Sequence, residues 1–339
     1  MRALTKIIHK FSQAKILVLG DLILDEYIWG DVQRISPEAP VPVVWAKKHS
    51  YVLGGAANVA NNIRSLGADV RICGVVGRDK NTATLFSELR RQGITKEGIL
   101  SVDRRHTTVK TRIIAGHQQI VRLDWEHTNP LSESINSRLY EFVKKNISRF
   151  NAVIIEDYGK GVVNPWLTKR VIDLAREKNR IIIVDPKEEH FHYYAGTTSI
   201  TPNRKETESA VRNLKIQDTT NTFRINTDRL MTDRDLKRAG RELLRYLKLD
   251  SLLITLGEGG MYLFEGGQIV HIPTQAQEVF DVSGAGDTVV ANFTLSLACG
   301  GSKLEAAHIA NLAAGIVVSK IGTATVSRKE LLERIAKFK

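Results

Sequence analysis

The sequence predicts one α/β domain, residues 1–339, with a doubly wound, mostly parallel sheet flanked by helices and a small β-sheet lid. Two observations lead to this fold class. Short apolar runs alternate with helical patterns along most of the chain, as in parallel sheets with crossover helices. Two segments, 27–53 and 107–124, instead carry prolines or alternating apolar residues, which is typical of strands outside the main sheet. We expect these two segments to form the lid together.

Composition limits the class of protein and the cellular location that we expect. Hydrophobic residues make up 42% of the chain and charged residues 25%, as in ordinary globular proteins. No apolar run reaches the length of a signal-peptide core or a membrane span, so we expect a cytoplasmic protein without a membrane partner. Cys73 and Cys299 lie in apolar contexts, and we expect both to be reduced and buried.

The formal net charge of +12 is the one unusual value. It would suit nucleic acid, an anionic membrane or anionic small molecules. The basic residues alternate with Asp and Glu, and no nucleic-acid-binding motif accompanies them. Composition therefore favours phosphorylated small ligands over nucleic acid.

The first predicted strand, 15–20, ends at Asp21. Ligands of open parallel sheets bind beyond the carboxyl ends of strands, so Asp21 either holds sugar hydroxyls or belongs to an ordinary polar loop. Farther along, Gly54 and Gly55 precede a helix that contains Asn58. Glycines let a ligand approach the backbone, and the Asn58 amide can both donate to and accept from hydroxyls.

The middle of the chain contains further predicted strands, each followed by a polar or glycine-rich cluster. The strands are 152–156, 181–184, 199–201 and 252–255, and the clusters are 157–161, 185–187, 202–203 and 257–260. Because the carboxyl ends of parallel strands meet at one edge of a sheet, we expect these clusters to line a single crevice. A hairpin, 261–272, follows with its turn at 266–267.

Two predicted helix starts carry polar side chains at i, i+3. Asn203 and Glu206 share a helix face, which suits Mg²⁺-bound water near phosphates and equally suits an N-terminal capping box. Ser302 and Glu305 form a capping box for a last long helix, which we expect to end at Gly322.

The segment 281–287, Asp-Val-Ser-Gly-Ala-Gly-Asp, opens a helix with an apolar stripe. Glycines in a first helical turn expose amide N–H groups, and this positive end of the helix attracts anions such as phosphoryl groups. The carboxylate of Asp287 would repel such an anion unless it accepts the proton of an attacking hydroxyl. The structural alternative is close packing at the glycines, with Asp287 stabilising the helix dipole.

These segments together resemble the PfkB, or ribokinase-like, carbohydrate kinases over about residues 10–330. The residues that match the two family signatures are Gly54, Gly55 and Asn58 near the N-terminus and Asp281, Gly284, Ala285, Gly286 and Asp287 near the C-terminus. The resemblance implies that Gly284, Ala285 and Gly286 form an anion hole and that Asp287 is the catalytic base. It also implies a homodimer that is formed through the lid.

Within the family, segments 117–124, 157–161, 185–187 and 281–283 are most similar to the branch that phosphorylates heptose 7-phosphates. This implies transfer from ATP to the anomeric hydroxyl of D-glycero-D-manno-heptose 7-phosphate, giving the 1,7-bisphosphate for ADP-heptose and lipopolysaccharide. The chain ends at Lys339, before the nucleotidyltransferase domain of bifunctional relatives, so we expect a stand-alone kinase. His117 stands where many relatives have another residue type. The alternatives are a kinase of fructose 6-phosphate or ribose, or a catalytically idle sugar- or nucleotide-binding protein.

The site residues follow from the resemblance and from the need of a phosphate dianion for cations. For the sugar phosphate they are Asp21, Gly54, Gly55, Asn58, Gln118, Asp157, Lys160, Arg112, Arg122 and Arg78. For ATP they are Lys187, Asn203, Glu206, Thr255, Gly257, Gly259 and Asn311. Asn203 and Glu206 would position Mg²⁺ through water, and Asp281 would lie near a monovalent cation such as K⁺.

Overall fold

The computed structural model describes residues 2–116, 118–219, 222–225, 229–276 and 278–337. Within these ranges the helices are α1 (Arg2–His9), α2 (Ala56–Ser65), α3 (Lys80–Arg91), α4 (Glu133–Asn146), α5 (Pro165–Glu177), α6 (Arg204–Gln217), α7 (Asp233–Tyr246), α8 (Ala285–Ala298), α9 (Lys303–Val317) and α10 (Arg328–Ala336). The strands are β1 (Lys15–Gly20), β2 (Leu22–Ile35), β3 (Pro42–Gly55), β4 (Asp69–Val76), β5 (Thr95–Ser101), β6 (Thr108–Ala115), β7 (Gln118–Trp125), β8 (Ala152–Glu156), β9 (Ile181–Asp185), β10 (Ser199–Ile200), β11 (Ser251–Thr255), β12 (Met261–Glu265) and β13 (Gln268–Ile272).

The main sheet has nine strands in the order β13-β12-β11-β10-β9-β8-β1-β4-β5. The strands β11, β10, β9, β8, β1, β4 and β5, which are neighbours in this order, all run parallel. At the β11 edge, the hairpin β12–β13 continues the sheet through antiparallel pairs. The order reverses between β1 and β8, which is where open α/β sheets form their ligand crevice. The predicted parallel sheet is therefore confirmed.

Helices cover both faces of this sheet. On β1, Ile16 and Val18 point into an apolar core that includes α1, α2, α8 and α9, whereas Leu17 and Leu19 point into a second core with α4 to α7. Strands that are buried on both faces read as continuous apolar runs, which explains the pattern seen in the sequence.

The lid is a four-stranded sheet in the order β3-β2-β6-β7. Strands β2 and β6 pair in parallel, with Tyr27 opposite Arg112, so the two distant segments do form one sheet, as predicted. The pairing register gives the sheet two different faces, because side chains alternate along each strand. One face carries charged residues such as Lys110 and Arg112, and the other carries apolar ones such as Leu123 and Trp125.

Two sequence expectations about this fold were wrong. The helix begun at Ser302 ends at Val317, well before Gly322, and α10 follows it. The chain leaves the helix because the Val318 carbonyl accepts the amides of Phe280 and Asp281, a contact between distant segments. Cys73 is a buried free thiol as predicted, but the free thiol of Cys299 is only partly buried at the end of α8.

None of the helices that the structure describes combines the length and the apolar character required to cross a bilayer.

Candidate active site

The N-terminus of α8 presents open backbone amides. Gly284 precedes the helix with a φ of 77°, a left-handed conformation that favours glycine, and an added Cβ would lie 2.9 Å from Thr323 Cγ2. The Ala285 amide donates to the Val282 carbonyl at 3.2 Å. Among the described residues, the amides of Gly286 and Asp287 have no such acceptor. The anion hole proposed from the sequence would therefore depend on these two amides rather than on that of Ala285.

Asp287 lies buried in the first turn of α8, with 5% of its surface exposed. Its carboxylate accepts hydrogen bonds from Asn58 Nδ2 at 2.5 Å and from the Tyr158 hydroxyl at 3.1 Å. Burial raises the pKa of Asp287 to about 6, although both donors oppose that rise. The group is thus mainly ionised at neutral pH, held in one orientation and able to accept a proton.

Two further acids lie beside Asp287. Glu156 ends β8 and Asp185 ends β9, and these residues are register partners in the parallel sheet. Carboxylate oxygens of the three residues lie within 4.8 Å of one another, close enough to hold one metal ion. The pKa values of Glu156 and Asp185 both lie well above their ordinary values. Burial is the largest cause, and repulsion from neighbouring carboxylates is the second. In the sequence, Glu156 is only the last residue of the predicted strand 152–156, and no motif marks it.

Asp21 supports a loop rather than facing the crevice freely. Its two oxygens accept the amides of Tyr158 at 2.9 Å, Lys160 at 3.0 Å and Val162 at 3.1 Å. Burial nevertheless raises the pKa of Asp21 to about 6, and Asp157 adds to this effect. We therefore interpret Asp21 as the residue that positions Tyr158, and through it Asp287.

The two glycines before α2 are required by packing. A Cβ on Gly54 would lie 2.3 Å from Asp25 Oδ2, and one on Gly55, whose φ is 54°, would lie 2.5 Å from the Asp21 carbonyl oxygen. These glycines thus let the end of β3 approach two acids, and Asn58 follows in the first turn of α2. The approach of a ligand to these glycines, expected from the sequence, stays a prediction.

The cations predicted for the substrate phosphate are already paired with acids. Arg112 pairs with Asp25, Arg122 bonds Asp124 through two nitrogens, Lys160 lies 2.7 Å from Glu126, and Arg78 lies 3.2 Å from Asp103. Arg78 and Asp103 are largely exposed. Gln118 is an exposed residue of β7, and its neighbour His117 lies outside the described residues.

Lys110 is a cation that the sequence analysis missed. Its Nζ lies 5.1 Å from the centre of the Tyr158 ring, and no described carboxylate comes within 4.0 Å of it. Burial lowers the pKa of this ammonium group, while Asp25 acts in the opposite direction. Lys110 and Arg112 are two residues apart on β6, so the alternation of side chains along a strand could have placed both on the charged face of the lid.

Asp157 organises the loop after β8. Its carboxylate accepts the Gly159 amide at 2.8 Å and the Tyr194 hydroxyl at 2.6 Å, and it bonds His190 Nδ1 at 2.8 Å. Burial alone would lower the pKa of His190. The hydrogen bond to Asp157 outweighs burial, so the pKa lies above its ordinary value. A cavity of about 390 Å³ beside this loop is lined in part by Lys160, Lys187 and His190.

A second, mainly apolar recess lies beside α8. It has a volume of about 340 Å³ and leads to the helix N-terminus at Ala285 and Gly286. Of the residues predicted to bind ATP, those that line this recess are Thr255, Gly257 and Asn311. The residues Gly259, Lys187, Asn203 and Glu206 are not among its lining residues.

Asn203 and Glu206 form the capping box that was one of their two predicted roles. Asn203 Oδ1 accepts the Glu206 amide at 2.9 Å, and Glu206 Oε2 accepts the Asn203 amide at 2.8 Å. Burial raises the pKa of Glu206. A magnesium role for this pair stays a prediction.

Asp281 connects the segment before α8 to the loop after α9. Its oxygens accept the amides of Ser283 at 2.9 Å and Gly322 at 3.0 Å. Burial alone would raise the pKa of this carboxyl. The hydrogen bonds from the two amides outweigh burial, so the pKa lies below its ordinary value. The residue is therefore a fixed carboxylate in the segment whose residues Val279 and Val282 line the apolar recess.

Solved sugar kinases share this arrangement of strands and helices. The ribokinase of Arabidopsis thaliana, solved with ribose and ATP, matches with a TM-score of 0.71 and 18% identity over 95% of this chain and 98% of that one. Escherichia coli phosphofructokinase-2, solved with potassium, matches with a TM-score of 0.74 and 19% identity over 96% and 99%. The fold is thus ribokinase-like, which confirms the predicted fold class.

The family of the chain follows from a comparison of its sequence with family models. A family model described as pfkB family carbohydrate kinase matches residues 13–330. The chain belongs to the pfkB family of carbohydrate kinases, and it is a phosphotransferase whose acceptor is an alcohol group of a sugar.

Two relatives with high sequence identity are longer proteins. The bifunctional protein HldE of Geobacter metallireducens is 45% identical over 317 residues, which cover 93% of this chain and 62% of that protein. The bifunctional protein HldE of Helicobacter pylori is also 45% identical, over 94% of this chain and 65% of that protein. The chain therefore spans less than two thirds of the length of these relatives.

Proposed function

We propose that this carbohydrate kinase transfers the γ-phosphoryl group of ATP to the anomeric hydroxyl of D-glycero-D-manno-heptose 7-phosphate, giving the 1,7-bisphosphate on the route to ADP-heptose. The observation that carries the proposal is the position of Lys110, which has no carboxylate within 4.0 Å among the described residues. Its Nζ lies 5.1 Å from the ring centre of Tyr158, whose hydroxyl donates to the proposed base Asp287. A sugar with its own phosphate would supply the missing anion. The similarity of several sequence segments to the heptose phosphate branch, and the relatives named HldE, support the same substrate.

The transfer step uses the geometry at α8. Asp287 accepts the proton of the anomeric hydroxyl while the hydroxyl oxygen forms a bond to the γ-phosphorus. The bond from that phosphorus to the β–γ bridging oxygen breaks, and ADP leaves with the electron pair. Asn58 and Tyr158 hold the carboxylate in place, and the amides of Gly286 and Asp287 face the charge that develops on the phosphoryl oxygens.

Magnesium would neutralise the phosphate charge during transfer. The residues that fit this ion are the clustered acids Glu156 and Asp185, with Asn203 and Glu206 as the water-mediated site expected from the sequence. Asp281 would lie near a monovalent cation, as expected from the sequence. Use of ATP agrees with the expected cytoplasmic location.

Substrate selection tests the proposal. We expect ADP release with heptose 7-phosphate to exceed that with the unphosphorylated heptose, fructose 6-phosphate or ribose by about 10²-fold or more, because binding energy from the remote phosphate helps to position the reacting hydroxyl. Phosphorus NMR of the product should show a new anomeric phosphate. Preference for fructose 6-phosphate or ribose would replace the heptose assignment, and no ADP with any sugar would favour the idle binding protein.

We also propose a homodimer formed through the apolar face of the lid. On β7, Val121, Leu123 and Trp125 alternate on this face and are 41%, 46% and 59% exposed. Exposed apolar patches of this kind mark interaction surfaces. Light scattering after size-exclusion chromatography should give twice the chain mass, and Leu123→Lys should give the mass of one chain. A monomeric parent protein at micromolar concentration would contradict this assembly.

A further inference from the structure

Four polar side chains meet between α2 and α8, two helices that pack against each other in the interior. Asn58, Asn62 and Thr288 are completely buried, and Asp287 nearly so. Buried polar groups cost free energy unless each of them is hydrogen-bonded. Apolar side chains of similar size would fill the same space without that cost, so the polar set has a role besides packing.

The hydrogen bonds of this set form a closed circuit. Thr288 Oγ1 donates to Asn62 Oδ1 at 3.0 Å. Asn62 Nδ2 donates to the backbone carbonyl of Asn58 at 3.0 Å and, more weakly, to Asn58 Oδ1 at 3.4 Å. Asn58 Nδ2 donates to Asp287 Oδ2 at 2.5 Å. Asp287 and Thr288 are consecutive residues of α8, so the circuit returns to the helix where it began.

The partners in this circuit fix the direction of both amide groups. An ionised carboxylate and a backbone carbonyl only accept hydrogen bonds, so Asn58 presents its NH₂ group to Asp287, and Asn62 presents its NH₂ group to the Asn58 carbonyl. The oxygen of Asn62 then points to the Thr288 hydroxyl, its one donor among the described groups. The Gly284 carbonyl also lies 3.0 Å from this hydroxyl, but it already accepts the Thr288 amide.

We propose that Thr288 and Asn62 are positioning residues that orient the proposed base Asp287 through Asn58. Without the hydroxyl, the Asn62 amide loses the donor that holds its direction, and a turned Asn62 would place its oxygen against that of Asn58. The Asn58 NH₂ group would then turn away from Asp287. Misplacement of a reacting group by about 1 Å can lower a rate by about 10²-fold. The inference rests on the proposed role of Asp287 in phosphoryl transfer.

Thr288→Val tests the circuit because it removes the hydroxyl and keeps the shape of the side chain. We expect the single-turnover rate of ADP formation to fall by about tenfold, with the affinities for ATP and sugar kept within about twofold, since Thr288 orients the base without contacting either substrate. Thr288→Ser restores the donor and should recover most of the parent rate. The sugar is the one that gives the fastest ADP release among those compared above.

The matched control is Thr294→Val in the same helix. The Thr294 hydroxyl is also buried, but it has no hydrogen-bond partner among the described groups. The same chemical change should therefore leave the rate at the parent value. Thermal unfolding of both valine variants checks that each is folded at the assay temperature.

A double-variant cycle separates positioning from a general loss of structure. Adding Thr288→Val to Asp287→Asn should lower the rate by less than about twofold further, because the carboxylate that Thr288 orients is already gone. A parent-like rate in Thr288→Val, an equal loss in Thr288→Ser, or a further tenfold loss in the double variant would each overturn the proposal. If Asp287→Asn itself kept the parent rate, the proposed transfer step would fail together with this inference, which distinguishes the two failures.

Discussion

Replacing Asp287 by Asn should lower kcat by about 10²–10⁴, the usual contribution of a general base. The amide cannot take the hydroxyl proton, although its oxygen can still accept the hydrogen bond that Asn58 donates. We therefore expect the fold and the affinity for ATP to be kept, as measured by thermal unfolding and calorimetry.

The matched control for this variant is Asp233→Asn, an exposed acid in the first turn of α7. It makes the same chemical change at another helix N-terminus and should leave kcat unchanged. Single-turnover measurement of ADP formation separates the chemical step from product release. A chemical step in Asp287→Asn within threefold of the parent rate would remove this residue from the mechanism.

The second large effect is expected at Lys110. Lys110→Met should lower kcat/KM for heptose 7-phosphate by about 10- to 100-fold, because a hydrogen bond to a charged group contributes about 1.5–3 kcal/mol. Turnover of the unphosphorylated heptose, which lacks the anion, should change much less. The comparison of two substrates on one variant isolates the contact between the ammonium group and the phosphate.

Lys96→Met serves as the control, since Lys96 is an exposed residue of the edge strand β5. It should alter neither rate. Equal losses on both heptoses in Lys110→Met would instead assign Lys110 to the transferring phosphoryl group, which is common to the two reactions. Unchanged rates on both would exclude Lys110 from either role.

The layout of the site could be predicted from the sequence because it depends on strand order. Asp21, Asp157, Asp185 and Asn203 each follow an apolar run, and parallel pairing brings these strand ends to one edge. The two halves of the lid were predicted for a similar reason, since both segments lacked helical periodicity. In the structure, the pairing of β2 with β6 joins the two segments into a single sheet.

The partners within the site could not be predicted, because they arise from packing between distant segments. Glu156 looks like the end of an ordinary strand until β9 places Asp185 beside it. Asn203 and Glu206 have the same spacing whether they cap a helix or position a metal ion, so the sequence pattern alone does not distinguish the two roles. Likewise, the end of α9 is set by hydrogen bonds to Phe280 and Asp281, which no local pattern records.

The hydrogen bond from Asn58 to Asp287 has a consequence for synthesis of the protein. It joins residues 229 positions apart, so the proposed general base acquires its orienting donor only when nearly the whole domain has left the ribosome. Such long-range pairs form late, since a large loop must close before the contact stabilises anything. A nascent or truncated chain that lacks α8 also lacks Asp287, so it would hold no competent base. Phosphoryl transfer is in this way confined to molecules whose folding is complete.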